Sequence, residues 1–263
     1  MQLATSTSAD VALYLRRSQT IVVPIGSTEQ HGPIGLIGTD TLCAQTIAAR
    51  LGERTGVLVA PPIALTVAQF NMGFPGTIAV RAATLLALLV DVLHALADQG
   101  FKRIYLLNGH GANIAVARAA FQDFYLERAR IGGATPIPQC RLRSWWEYPQ
   151  VDQLRRDWYG AHEGLHATPS EIAIAMAVEP EHGARAREQG LSTASTAPTP
   201  LSPAFLRDHG GDNHLDAASH QRAFPDGRVG SHSLLATHEQ GVALLAAAVD
   251  DAAADVAAFE SEA

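Results

Sequence analysis

Four side chains of metal-ligand type, Glu29, His31, Asp40 and His110, stand where strands are expected to end or loops to begin. Imidazole together with carboxylate suits zinc, manganese or iron in the two-plus state better than calcium, which prefers all-oxygen shells. Glu29 and His31 are two residues apart, so an extended segment carries both on one side. Asp40 follows a glycine-punctuated loop and opens a helix, where its carboxylate can be held by backbone amides or can bridge two cations. Each has a plainer reading when taken alone. Asp40 would be a helix cap, Glu29 and His31 a surface pair, and His110, between Gly109 and Gly111, a turn residue. Convergence of all four on strand ends argues against that.

The elements that must position them follow from pattern. Thr20 to Ile25 is a short β-branched run ending at Gly26, as expected of a buried parallel strand, and its carboxyl end delivers Glu29 and His31. Thr41 to Thr55 has helical periodicity, and Val57 to Ala60 reads as a second strand before Pro61 and Pro62. Ala82 to Gln99 is a helix closed by Gly100, followed by a buried strand over Arg103 to Leu107, the polar turn containing His110, and a helix over Ile114 to Arg130. Strand, polar loop and helix in repetition is the doubly wound α/β pattern, whose ligands sit at the carboxyl ends of the strands. Gly32, Gly35 and Gly38 allow a tight path from His31 to Asp40. Leu191 to Gly211, with Pro198, Pro200 and Pro203, reads as a long surface loop, and Ala236 to Phe259 as a terminal helix packed on the sheet.

Composition narrows the function classes. The 263 residues are 47% hydrophobic and 17% charged, which fits a compact globular chain, and a single domain over 1–263 is expected. A formal charge of −7 without a dense Lys/Arg run argues against nucleic-acid or lipid binding, and small-molecule or peptide substrates fit better. With neither a signal-peptide pattern nor a long apolar run, a cytoplasmic location is expected. Cys43 and Cys140 are distant and outside any Cys-x-x-Cys arrangement, so both are expected as buried free thiols. No internal repeat is visible.

The sequence resembles the creatininase, or creatinine amidohydrolase, family. The resemblance rests on Pro24-Ile-Gly-Ser-Thr-Glu-Gln-His-Gly-Pro33, Gly38-Thr-Asp40, Phe74-Pro-Gly-Thr77 and Asn108-Gly-His-Gly-Ala-Asn113. It extends more weakly through Ser144-Trp-Trp-Glu-Tyr148 and Gly164-Leu-His-Ala-Thr-Pro-Ser-Glu171, in the same order along most of the chain.

The resemblance implies a three-layer α/β/α fold with a mostly parallel sheet, and a homohexamer. It also implies a pair of divalent metal ions, zinc first and manganese or iron next, and hydrolysis of a carbon–nitrogen amide bond in a small substrate. By position, Glu29 and His110 would hold one metal, His31 the other, and Asp40 would bridge them. Creatininase proper places a further glutamate where this chain has Ala112. Relatives with a glycine-rich version of that loop use a downstream His-Ala-Gly-Glu-x-Glu-Thr-Ser type motif, against which His166-Ala-Thr-Pro-Ser-Glu171 aligns. Glu171 is therefore the expected fifth ligand, with Glu163 in reserve; read locally, Glu171 is also a residue of a helix's first turn. His166, an imidazole with an ordinary pKa of about 6.5, is placed to pass a proton between the attacking water and the leaving nitrogen. Trp145 and Trp146 are expected either to wall the substrate pocket or to pack in the core. His209, His214, His220, His232 and His238 read as solvated or structural, although Asp212 with His214 imitates a ligand pair. Ile34, Leu165 and Ala112 depart from creatininase proper and point away from creatinine itself. A deformylase, a peptidase acting on a small modified peptide and a non-catalytic ligand-binding relative stand as alternatives.

Overall fold

A computed structural model of the chain describes residues 1–132, 136–202, 204–205 and 215–262. Four strands, β1 (Thr20–Ile25), β2 (Leu58–Val59), β3 (Arg103–Asn108) and β4 (Gln139–Ser144), form one parallel sheet in the order β2-β1-β3-β4. The helices are α1 (Ser8–Leu15), α2 (Thr39–Thr55), α3 (Ala82–Asp98), α4 (Asn113–Ile131), α5 (Pro149–Trp158), α6 (Pro169–Val178), α7 (Pro180–Ala194), α8 (Ala217–Ala223) and α9 (His238–Ser261).

Strand alternation makes the layers. Ile21, Val23 and Ile25 of β1, with Ile104 and Leu106 of β3, pack under α1, α3 and α4. Val22, Tyr105 and Leu107 point the other way, into a core shared with α2, α5, α6 and α9. Both faces of the central strands are thus covered, which is why they read as continuous apolar runs. The expected three-layer α/β/α arrangement is found.

Pro24 sits in the middle of a central strand, where its missing N–H would ordinarily break a ladder. Here β1 pairs with β2 only at Ile21 and Val22, so β2 has ended before Pro24 is reached. The Pro24 carbonyl instead accepts from Ile63 N–H at 3.0 Å. The proline therefore loses nothing while the strand's carboxyl end is released toward Glu29.

Several boundaries differ from expectation. α2 begins at Thr39 rather than Thr41, which puts Asp40 inside its first turn. The second strand shrinks to Leu58–Val59. The segment expected as a loop from Leu191 is helical through Ala194, because Arg228 reaches across to donate to the Ala194 and Thr196 carbonyls at 3.2 and 2.9 Å. That adds to a local cap in which Ser195 Oγ donates to Ser192 O at 2.7 Å. Residues 197–202 have no regular structure, and Pro203, His209, Asp212 and His214 lie outside the described residues. The terminal helix packs mainly on α6, α2 and α5, and meets the sheet through Phe259 against Tyr105 and through Asp255, which bonds Tyr105 of β3 and Arg141 of β4. No helix is long and apolar enough to cross a membrane among the described residues. Cys43 and Cys140 are free, the first buried and the second half-buried.

Candidate metal centre

The polar residues gather at the carboxyl ends of β1 and β3. The turn after β3 is pressed onto the first turn of α2, with Gly109 N–H donating to Ile25 O at 2.8 Å. A Cβ at Gly109 would collide with the Asp40 carbonyl oxygen, so only glycine permits this approach. The Asn113 side chain ties the same turn to Gly26 O at 2.9 Å. From the far side, the segment before α6 brings in His166, and the first turn of α6 brings in Glu171.

Asp40 lies at the centre. Its Oδ1 is 3.0 Å from His31 Nε2, and its Oδ2 is 3.0 Å from His110 Nδ1. Glu29 Oε1 is 3.1 Å from the same His110 nitrogen. Glu171 Oε1 is 3.9 Å from His31 Nε2. Two ligand-type triads result, Glu29–Asp40–His110 and His31–Asp40–Glu171, each with ligand atoms within 4.8 Å of one another and both using Asp40. A third grouping joins Glu29, His31 and His166. Glu29, His31 and Asp40 are 0%, 1% and 3% exposed. Asp40 makes no side-chain cap for α2, so the plain helix-cap reading of this residue does not hold.

The hydrogen bonds around the cluster suit a cation. His110 Nε2–H donates to Val67 O at 2.8 Å, and His31 Nδ1–H donates to Glu29 O at 3.0 Å. In each ring the outer nitrogen is held by a backbone carbonyl, which leaves the inner lone pair aimed at carboxylate oxygens. Glu29 Oε1 and Asp40 Oδ2 are buried and accept no well-aligned hydrogen bond. Lone pairs of both partners converging on one volume is the arrangement of ligands about a metal ion, and the residues fit one.

Without a cation, protons must supply the missing positive charge. Burial disfavours a charged His31, but Asp40, Glu171 and Glu29 outweigh it and push its pKa up to about 10. His110 is likewise driven well above the usual imidazole range against its burial, by Glu29 and Asp40. Burial opposes ionisation of Asp40 and Glu29 too. The adjacent His31 and His110 nevertheless hold Asp40 well below the carboxylate range, and His110 and His166 hold Glu29 down. Glu171 goes the other way: burial raises it to about 7, with His31 opposing.

His166 behaves differently from the other two imidazoles. Its Nε2–H donates to Gln30 O at 2.7 Å, so Nδ1 carries the lone pair and faces Glu29 Oε1 at 3.6 Å. Burial, only partly offset by Glu29, lowers its pKa to about 4, leaving it neutral at pH 7. Its position is braced by Ser231 Oγ, which donates to His166 O at 2.7 Å.

Glu171 satisfies both of its readings at once. It closes a capping box with Thr168, whose N–H donates to Glu171 Oε1 at 2.6 Å, and it still reaches the His31 side of the cluster. Glu163, the reserve, turns away to Arg155 Nε at 2.8 Å and to Ser170 Oγ. Trp145 is 1% exposed and belongs to the core with α5, α6 and α9, with Trp146 packed edge-on beside it at 5.9 Å. Trp145 thus takes the core place of the two expected, and Trp146 is half-buried against that core. His220 is buried against Phe70 and Phe224, and His232 lies edge-on to His162.

Two side chains that touch the cluster were not singled out from sequence, Gln30 and Asn71. Asn71 Nδ2 donates to Glu29 Oε2 at 2.9 Å, and Gln30 Nε2 donates to Asn71 Oδ1 at 2.7 Å. Gln30 had a signal in its place between Glu29 and His31, whereas Asn71 lies outside the motifs, three residues before Phe74. A cleft of about 320 Å³ opens beside His31 and Gln30, walled by Ile37, Phe74, Pro75 and Pro225.

A family model described as "Creatininase: Creatinine amidohydrolase" matches residues 4–256. The 3-dehydro-scyllo-inosose hydrolase of Thermotoga maritima is 28% identical over 181 residues, 67% of this chain and 56% of that protein. The mycofactocin precursor peptide peptidase of Mycolicibacterium smegmatis is 40% identical over 106 residues, 38% of this chain and 42% of that protein. The chain thus spans about half the length of these curated relatives. A solved creatinine amidohydrolase superposes with a TM-score of 0.81 at 22% identity, covering 100% of this chain and 98% of that one, and other solved creatininases are described as Mn and as Zn–Zn type.

Proposed function

The chain belongs to the creatininase family, and from that premise we propose that it is a metal-dependent amidohydrolase cleaving a carbon–nitrogen amide bond of a small substrate with water. The observation that carries the reading is the pair of triads sharing Asp40. Glu29, His110 and Asp40 would hold one divalent ion, and His31, Glu171 and Asp40 the other. Zinc is favoured by the mixed imidazole and carboxylate donors, with manganese or iron as alternatives. When bound, such a pair lowers the pKa of water and polarises a carbonyl.

The chain's own residues supply the rest. The cleft beside His31 is of a size for a small molecule, and Phe74, Pro75 and Pro225 give it apolar walls. His166, neutral at working pH, accepts a proton from the attacking water at Nδ1 and returns it to the departing nitrogen. Gln30 O fixes that tautomer by holding the other ring nitrogen as a donor.

The test is a panel of cyclic amides, formamides and short peptides assayed with zinc, manganese and iron. Turnover that depends on metal and disappears in Asp40→Ala supports the reading; equal turnover by metal-free protein overturns it. A peptidase acting on a small peptide is the second reading, favoured by the likeness to the peptidase above. Cleavage of peptides but of no simple amide would establish it. Silence across the panel with metal bound would instead identify a binding protein. The family resemblance supports a homohexamer, while length and composition support a single domain and the absence of a signal-like segment a cytoplasmic location; sedimentation of the purified chain tests the hexamer.

A further inference from the structure

Carboxylate ligands work only if the correct oxygen faces the metal, and something must fix that choice for a buried glutamate. We infer that the side-chain amides of Gln30 and Asn71 form a directional relay that fixes which oxygen of Glu29 is free to hold a cation, and so sets the affinity of the Glu29–Asp40–His110 position. The inference rests on the reading of Glu29 as a metal ligand.

The direction of the relay starts at the backbone. Gly32 N–H needs an acceptor and finds Gln30 Oε1 at 2.7 Å; Gly227 C=O needs a donor and finds Gln30 Nε2 at 3.1 Å. Those two contacts allow the Gln30 amide one orientation. Its remaining N–H is then aimed at Asn71 Oδ1, at 2.7 Å. Asn71 must in turn present Nδ2 outward, and it donates to Glu29 Oε2 at 2.9 Å. Glu29 Oε1 is left over, buried and without a well-aligned donor, facing His110 Nδ1. Both amides of the relay are buried, Gln30 at 6% exposed and Asn71 at 0%, so a polar group left without its partner there is costly.

Steric fit supports the same route. Gly227 has φ +81°, and a Cβ there would strike the Gln30 amide itself. The glycine leaves the space in which the relay's first amide lies. Both amide nitrogens also lie against His166 Nε2, at 3.1 and 3.3 Å, but that ring nitrogen gives its proton to Gln30 O, so the carboxylate they orient is Glu29. Gln30 and Asn71 are therefore positioning residues, and neither is a ligand.

The experiment is a chelator-competition titration of zinc on the full-length protein, with stoichiometry by elemental analysis, for wild type, Asn71→Leu, Gln30→Glu, Gly227→Ala, the Asn71→Leu/Gln30→Glu double variant and Glu29→Gln. Asn71→Leu leaves Glu29 Oε2 without its donor, and Gln30→Glu turns the Asn71 amide round so that an oxygen faces Glu29. Each is expected to weaken one zinc by about 10–100-fold, the range typical of outer partners of metal ligands. Gly227→Ala, which alters no polar group, should weaken the same zinc by a smaller factor. The double variant should bind zinc no more weakly than Asn71→Leu alone, because the Gln30 side chain reaches Glu29 only through Asn71. Should Asn71→Leu fail to fold, Gln30→Glu and Gly227→Ala carry the test. Zinc affinity within twofold of wild type in those two variants, or losses that multiply in the double variant, would overturn the relay. Glu29→Gln separates the premise from the inference. If it weakens zinc while Asn71 and Gln30 variants do not, the relay alone fails; if it leaves zinc unchanged, the ligand reading fails and takes the relay with it.

Discussion

Two polar clusters flank the same strand, one half-buried and one buried, and they are resolved in opposite ways. Midway along β3, Tyr105 OH donates to Asp255 Oδ2 at 2.7 Å and meets Tyr148 OH at 2.6 Å. Asp255 is further held by Arg141 at 3.1 Å and Arg143 at 3.2 Å. Just beyond the end of β3, around His110, carboxylate oxygens and imidazole lone pairs converge without donors to satisfy them. Arginine brings a permanent charge to the first cluster, so its carboxylate is paired in every state of the protein. Histidine brings charge to the second only by taking up a proton. A scaffold network is complete by itself, whereas a site is recognised by what its atoms still lack.

The sharpest way to break the comparison is to remove one carboxylate from each cluster. Asp40→Ala deletes the residue shared by both triads, and it should abolish activity and strip at least one of the two metal ions, read by elemental analysis on the same sample as the assay. Asp255→Ala should keep full metal content and lose only stability. An Asp40→Ala protein that retains both ions would erase the distinction between the clusters.

Within the site, His166 should separate from the ligands. His166→Gln is expected to lower kcat by about 10²–10⁴-fold, as for a lost general acid–base, with metal content unchanged. A parallel loss of metal would instead move His166 into the ligand set, as its grouping with Glu29 and His31 permits.

The protons that replace the cation predict a pH effect of known sign. His31 has a pKa raised to about 10 in the folded, metal-free protein. Its contribution to stability is therefore complete below its ordinary value of about 6.5 and is lost as pH rises through 10. Glu171, raised to about 7, loses its contribution in the same direction between about 4.3 and 7. Asp40 and Glu29 are lowered, so theirs is present above the usual carboxylate range and lost in acid. In chelator, Tm should fall from about pH 6 toward pH 9. With zinc present the fall should be smaller, so the metal-induced rise in Tm grows with pH. A metal-induced rise that shrinks over that range would contradict this account of the cluster.

How far the sequence displayed this arrangement depended on the element. β1 and the body of β3 were legible because burial on both faces leaves uninterrupted apolar runs, and Glu29, His31, Asp40 and His110 were legible because glycine-rich motifs mark the turns that carry them. β4 was not, since an edge strand reading Gln-Cys-Arg-Leu-Arg-Ser is only partly covered and carries the arginines that hold Asp255. Glu171 was visible as a candidate, but its double use as cap and cluster member is a matter of distance that spacing does not express. Asn71 was invisible: an asparagine in a loop is ordinarily a turn residue, and only the fold brings it against Glu29.

The smallest expected effect asks whether the two clusters are independent at all. Tyr105→Phe removes one hydroxyl from the scaffold network and leaves Asp255 with both arginines, so the cost is one buried hydrogen-bonding group, about 1–2 kcal/mol on chemical denaturation. Tyr148 then loses a partner in the core, and burial is what already pushes its hydroxyl pKa upward, with the Tyr105 hydroxyl opposing. Tyr105 lies three residues before the end of β3 at Asn108, about 10 Å along the strand, and His110 follows in the turn beyond it. Rigid pairing of β3 to β1 and β4 on either side should keep a change at one from reaching the other. Zinc affinity and kcat of Tyr105→Phe are accordingly expected to match wild type within twofold. A larger change in zinc affinity without further loss of stability would mean that the strand transmits the state of the satisfied network to the unsatisfied one.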